Sequence, residues 1–176
     1  HNNLGLARLE LGKARDAEES FKRAIDLDPG YVNAHVNLAI LYDRTRRDSL
    51  AVREYRRALV VEPSKASVHG ALGNFYAKRG RFAEALPHLR RANQIEPQSS
   101  KLRLDYGAVC WKTGDLPEAA VQFEKAVSLD PSSAQAQLLL AQSLMALGRG
   151  AEAREHLQEC LRIDPNNREA KRLLGQ

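Results

Sequence analysis

The stretch AEESFKRAIDLDP, residues 17–29, decides the fold, because its pattern returns at a fixed step. AVREYRRALVVEP (51–63), ALPHLRRANQIEP (85–97), AAVQFEKAVSLDP (119–131) and AREHLQECLRIDP (153–165) all open on Ala and close on an acidic residue and Pro. Pro29, Pro63, Pro97, Pro131 and Pro165 stand 34 residues apart. Within the stretches, Ala17, Ala51, Ala85, Ala119 and Ala153 form one column. Phe21, Tyr55, Leu89, Phe123 and Leu157 form a second, and Ala24, Ala58, Ala92, Ala126 and Cys160 a third. Spacings of three, four and seven put these columns on one face of a helix.

Upstream of each stretch lies a second periodic segment. Leu4, Leu38, Leu72, Tyr106, Leu140 and Leu174 run beside Gly5, Ala39, Gly73, Gly107, Ala141 and Gly175. Small residues there let a neighbouring helix come close. Gly12, Gly80, Gly114 and Gly148 mark the turn that ends this first helix, and Arg46 takes that slot in the second unit. The proline ends each second helix, since the residue before it is driven out of the α region. Asp48 and Asp115 are expected to cap second helices, with Pro117 in a first turn. Ser64, Ser99, Ser133 and Asn167 are expected to cap first helices. The spacing predicts first helices near 1–11, 32–45, 66–79, 100–113, 134–147 and 168–175. Second helices are predicted near 14–27, 48–61, 82–95, 116–129 and 150–163. Pro87 falls inside one of these and removes a backbone hydrogen bond, which predicts a kink.

A 34-residue helix–turn–helix period resembles the tetratricopeptide repeat family. The resemblance covers the whole chain without an insertion, with repeats near 1–31, 32–65, 66–99, 100–133 and 134–167 and a partial sixth at 168–176. The early Trp slot of the family departs, holding His1, His35, His69, Arg103, Gln137 and Lys171. The resemblance implies an all-α fold, a right-handed superhelical α-solenoid of antiparallel helix pairs forming a single array over 1–176. No pair buries its apolar faces alone, so neighbours must stack. In this family the first helices line a concave groove and the second helices cover the convex side.

Composition agrees with a packed helical protein. Of 176 residues, 43% are hydrophobic but only 6% aromatic, so Leu, Ala and Val must build the core. The formal charge of +5 permits an acidic partner without demanding nucleic acid. Its excess sits in the second and third repeats. No apolar run is long enough for a membrane span, so insertion by this segment is not expected. No signal peptide is visible, and the cytoplasm is the default expectation for this segment. The chain begins at His1 without Met and stops inside a repeat, so a fragment of a longer protein is expected.

Read in register, the groove positions include Asn3 and Asn37 in one slot. An Asn both donates to and accepts from a peptide backbone. This resembles the Asn ladder of the repeat domain in O-linked N-acetylglucosamine transferases, although Ala71, Asp105 and Leu139 interrupt it. Arg44, Lys78 and Lys112 form a basic column that suits acidic side chains or a carboxylate. A cation there also complements the helix macrodipole. Trp111, beside Leu104 and Met145, is a candidate apolar anchor, with packing against the next repeat as the alternative. Asn74, Lys101 and Gln142 complete the candidate peptide-binding groove. Some chaperone-binding members of the family hold a C-terminal carboxylate with a Lys–Asn–Asn–Lys–Arg clamp. Those slots hold Asn2, Leu6, Asn37, Ser67 and Ala71 here. One repeat later they hold Val36, Asn74, Ala71, Lys101 and Asp105. Neither set reproduces the clamp.

Other chemistries find little support. His1, His35 and His69 recur at the period, but equivalent positions on stacked helices sit roughly 8–10 Å apart, too far to share one metal ion. Cys110 and Cys160 fall in packing columns and form no metal-ligand motif. No phosphate-binding loop, nucleophile elbow or HExxH is present. The pairs Lys22–Arg23, Arg56–Arg57 and Arg90–Arg91 read as a solvated stripe, partly matched by Glu18 and Glu19. Stacking aromatics are not interleaved with them, which disfavours RNA. The expectation is a non-enzymatic scaffold, without cofactor or metal, that holds a protein or peptide in its concave groove. The alternatives are a self-associating assembly module, in which Leu173 and Leu174 pair with another copy, and the substrate-recognition domain of a larger enzyme such as a glycosyltransferase.

Overall fold

A computed structural model describes residues 1–175; Gln176, the last residue of the expected partial repeat, lies outside the described residues. The described chain is helical, in the order α1 (Asn2–Glu10), α2 (Ala14–Leu27), α3 (Val32–Arg44), α4 (Asp48–Val61), α5 (Ala66–Ala77), α6 (Phe82–Ile95), α7 (Ser100–Lys112), α8 (Leu116–Leu129), α9 (Ala134–Ala146), α10 (Gly150–Ile163) and α11 (Arg168–Leu174). The second helices match the periodic reading residue for residue. The first helices end one or two residues early.

The chain forms two compact units, 1–75 and 76–176. In the first, α1 packs on α2, α2 on α3 and α3 on α4, and α1 also touches α3. In the second, each helix from α6 to α11 packs on the next. This helix-on-helix stacking is the architecture of an α-solenoid.

The turns carry out what the sequence asked of them, with two exceptions. Gly12, Gly80, Gly114 and Gly148 all adopt positive φ, and Arg46 is forced into the same left-handed conformation at φ 58. A residue with a Cβ is strained there by roughly 1–2 kcal/mol. Asp115, Ser99, Ser133 and Asn167 cap their helices through side-chain oxygens. Asp48 does not cap α4. It is the first helical residue, and Arg47 occupies the cap position without a side-chain bond. Ser64 also misses the cap slot, standing two residues before Ala66 where α5 begins. Its slot instead matches Gly30, Ser132 and Asn166, whose backbone N–H groups donate to Asp28, Asp130 and Asp164 at 3.0, 3.2 and 3.1 Å. The acidic residue before each of these prolines therefore folds the turn across it. Helix α6 runs unbroken through Pro87.

The core is the column pattern made solid. Ala17, Phe21, Ala51, Tyr55, Ala58, Leu89, Phe123, Ala126 and Leu157 are all buried. A Cβ added to Gly5 would stand 2.5 Å from Cε1 of Phe21, and one added to Gly107 would stand 2.7 Å from Cε1 of Phe123. The first helix thus lies directly on the ring of the second. The equivalent slots pair Ala39 with Tyr55 and Ala141 with Leu157, so a Cβ is admitted where the facing side chain adapts. Gly107→Ala is expected to destabilise the protein by about 1–2 kcal/mol through overpacking, and Phe123→Leu by about 1 kcal/mol through lost packing. The double variant reproduces the Ala141–Leu157 combination, so its loss should be less than the sum by at least about 0.5 kcal/mol. Urea unfolding of the four proteins checks this; strict additivity would disprove the direct contact.

Candidate functional site

The candidate residues sit on the first helices, except Lys78, which follows α5, and the structure sorts them by what they already touch. Asn3 is exposed on α1. Asn37, half-buried on α3, donates through Nδ2 to Oδ1 of Asn2 at 2.8 Å. That bond uses one of its donors and leaves its oxygen and second N–H for another group. Asn74 is half-buried on α5. Lys101 is exposed and pairs across one turn with Asp105 at 3.7 Å. Gln142 donates to Glu169 at 3.4 Å, so it links α9 to α11.

The basic column is less committed. Arg44 and Lys112 stand in the last turns of α3 and α7, where a cation complements the helix end. Lys78 follows α5 directly. All three are exposed, and none makes an ion pair among the described residues. Trp111 is half-buried on α7, and Met145 is exposed on α9.

The column in the family's Trp slot has a structural role that spacing alone does not reveal. His35 presents Nε2 to the carbonyl of Pro29 at 3.1 Å and Nδ1 to Glu54 at 2.8 Å. His69 meets the carbonyl of Pro63 at 3.1 Å. Arg103 donates to the carbonyl of Pro97 and, at 2.9 Å, to Oε1 of Gln122. Gln137 donates to the carbonyl of Pro131 and accepts from Nδ1 of His156 at 2.7 Å. His35, Arg103 and Gln137 each tie the loop before their own helix to a residue 19 positions later, on the second helix. The sequence signal was there: the partner column Ser20, Glu54, His88, Gln122 and His156 is polar on an otherwise apolar face.

Glu54 is the extreme member. It is fully buried, and its second oxygen accepts from Arg57 at 2.9 Å and from Arg53 at 3.3 Å. Beside it, Ile25, Asp26, Pro29, His35, Arg57, Val60 and Val61 line an open cavity of about 590 Å³. A second polar centre stands on Glu18. It accepts from Tyr42 at 3.0 Å and Arg47 at 2.7 Å and pairs with Lys22 at 2.8 Å. Burial works against the Glu18 carboxylate, but the bonds from Lys22, Arg47 and Tyr42 outweigh it and hold its pKa below the ordinary value. The i,i+4 pairing read from the sequence is therefore real for Lys22. Among the described residues no cluster of three His, Cys, Asp or Glu is arranged to hold a metal ion, and no helix is long and apolar enough to cross a membrane.

Comparison with known proteins follows this geometry. Tetratricopeptide repeat profiles match residues 2–60, 76–122 and 111–176. Curated protein sequences give no match. Among solved structures, YrrB, described as a tetratricopeptide repeat protein with an unusual peptide-binding site, superposes with a TM-score of 0.82 at 21% identity, covering 99% of this chain and 90% of that one. MamA superposes with a TM-score of 0.82 at 19% identity, covering 92% and 94%. PilF of Pseudomonas aeruginosa does so with a TM-score of 0.84 at 26% identity, covering 97% and 78%.

Cys110 and Cys160 are both buried free thiols. Burial pushes the Cys110 thiol up from 9.0 to about 11, against a smaller opposing bond with Tyr106. Between those two values the unfolded chain has released this proton and the folded chain still holds it. The contribution is therefore complete below pH about 9 and is lost as pH rises towards 11. Urea unfolding midpoints are expected to fall over that window, and Cys110→Ala should remove part of the slope. Identical slopes in both proteins would show that this thiol is not the titrating group.

Proposed function

We propose, from the premise that this chain belongs to the tetratricopeptide repeat family, that it is a non-catalytic interaction scaffold holding a peptide or protein segment along the exposed face of its first helices. The observation that carries this reading is the state of Arg44, Lys78 and Lys112. They are exposed and have no internal ion partner among the described residues. Cations in that state are available to a carboxylate. Asn3 and Asn37 supply donors and acceptors suited to a backbone, and Trp111 supplies an apolar contact. Asn74, half-buried on α5, is a further amide of the candidate set. Lys101 and Gln142 would have to exchange their present partners, Asp105 and Glu169, for a ligand. The peptide-binding site of the structurally similar YrrB supports the class of ligand.

The test starts with a pull-down from the native lysate to obtain the bound segment. Titration of that segment is then followed through the fluorescence of Trp111, the one Trp in the sequence. Asn37→Ala with Lys78→Ala is expected to weaken binding by about fivefold or more, the scale of one or two lost hydrogen bonds, while the chain stays folded and loses only about 1 kcal/mol, that of the Asn37–Asn2 bond. Unchanged affinity would refute the assignment to this face.

A second reading is self-association, favoured by one feature. Met145, Ala153, Leu157, Leu173 and Leu174, with Arg154, line a cavity of about 370 Å³ in the second unit, and Met145 is 42% exposed. Light scattering over a concentration series is expected to show a growing mass that Leu173→Ser with Leu174→Ser abolishes. A constant monomer mass would exclude this reading.

A further inference from the structure

The cavity beside Glu54 lies between the ends of α2 and α4, with His35 of α3 at its wall, and none of the residues of the proposed function lines it. Its chemistry does not fit solvent exposure alone. Val60 is 81% exposed, Val61 44% and Leu27 61%. The slot of Val60 is polar in every other repeat, holding Asp26, Gln94, Ser128 and Arg162. A solvated outer helix has no use for a valine at that place. The exposed apolar groups stand at the ends of α2 and α4, around the cavity lined by Ile25, Pro29, Val60 and Val61. They continue beyond it, so a small molecule filling the cavity would leave Leu27 and most of Val60 in water. A macromolecular surface would cover both.

The carboxylates around this patch are largely engaged. They are Asp26, Asp28, Glu54 and Glu62; Glu54 is buried and shared by Arg53, Arg57 and His35, Asp28 accepts from the N–H of Gly30, and Glu62 pairs with Lys65. Against them stand Arg53, Arg56 and Arg57 on α4. Arg56 is exposed and makes no ion pair among the described residues. It lies one helical turn before Val60 and so on the same stripe. On α2, Arg23 bears the same relation to Leu27. The rim of the patch therefore carries cations that the protein itself does not neutralise.

We propose that this outer face of the first unit is a second docking surface, and that its occupant is an acidic amphipathic helix of a partner protein. An aliphatic side chain of that helix enters the cavity between Ile25 and Val61, and its carboxylates meet Arg56 and Arg23. The interaction is independent of the first-helix face, so the array can hold two segments at once.

The probe is a synthetic acidic peptide with Leu at i, i+3 and i+4 spacings and Glu elsewhere, titrated into the intact chain with isotopically labelled Ile, Leu and Val methyl groups. Shifts are expected at Ile25, Leu27, Val60 and Val61. Val60→Ser and Arg56→Glu should each weaken binding at least about fivefold, and binding should weaken as salt is raised. Asn37→Ala with Lys78→Ala should leave this binding unchanged, which separates its failure from failure of the first-helix reading. Both exposed substitutions should leave the unfolding midpoint unchanged. The proposal is overturned by any of four results. These are no shift at the four residues, equal binding of the peptide with Lys in place of Glu, shifts confined to the first helices, or binding of anionic lipid vesicles that Val60→Ser abolishes.

Discussion

The fold depends on the contact between a small residue on a first helix and a ring or leucine sixteen positions later. Gly5 faces Phe21 and Gly107 faces Phe123 with no room for a Cβ. That approach closes each helix pair, but it leaves the outer flanks of both helices apolar. Burial of those flanks requires the next pair, which is why the architecture grows by stacking rather than by closing on itself. Aromatic residues are scarce, so the core between pairs is filled by Ala and Leu at 0–7% exposure.

Polar side chains then set the register that apolar packing leaves loose. The slot that other members of the family give to Trp is here filled by His, Arg, Gln or Lys. His35, Arg103 and Gln137 each link the proline loop before them to the helix after them. A Trp would fill that space by volume. These three residues fill it with directional bonds, and their partners are Glu54, Gln122 and His156. The consequence is local individuality. In the first unit the match is a buried carboxylate, which gathers two arginines towards it and makes the neighbouring outer surface basic.

The two faces of the helix pairs therefore carry different chemistry. The first helices expose isolated cations and amides over a small-residue backbone. The second helices of the first unit expose valine and leucine among arginines. What both can do is recognise shape and charge on another chain, and hydrophobic contact ringed by charge is how such recognition combines affinity with selectivity.

How much of this was legible in sequence follows from which interactions are periodic. The 34-residue step, the Gly turns, the proline stops and the buried Ala and Phe columns are short-range and repeated, so the helices of Ala14–Leu27 or Leu116–Leu129 could be read almost to the residue. Local competition defeated the reading at Asp48 and Ser64, where a shift of one or two residues decides whether a side chain caps a helix. The tertiary structure decided what no period encodes. It brought Asn2 onto Asn37 and Glu169 onto Gln142, which engages some groove candidates and leaves Arg44, Lys78 and Lys112 open. It made clasps of His35, Arg103 and Gln137. It also gathered Val60, Arg57 and His35 around one cavity, because contacts between residues 19 to 35 positions apart depend on how the helices lie against each other, and a repeat pattern specifies only that they do.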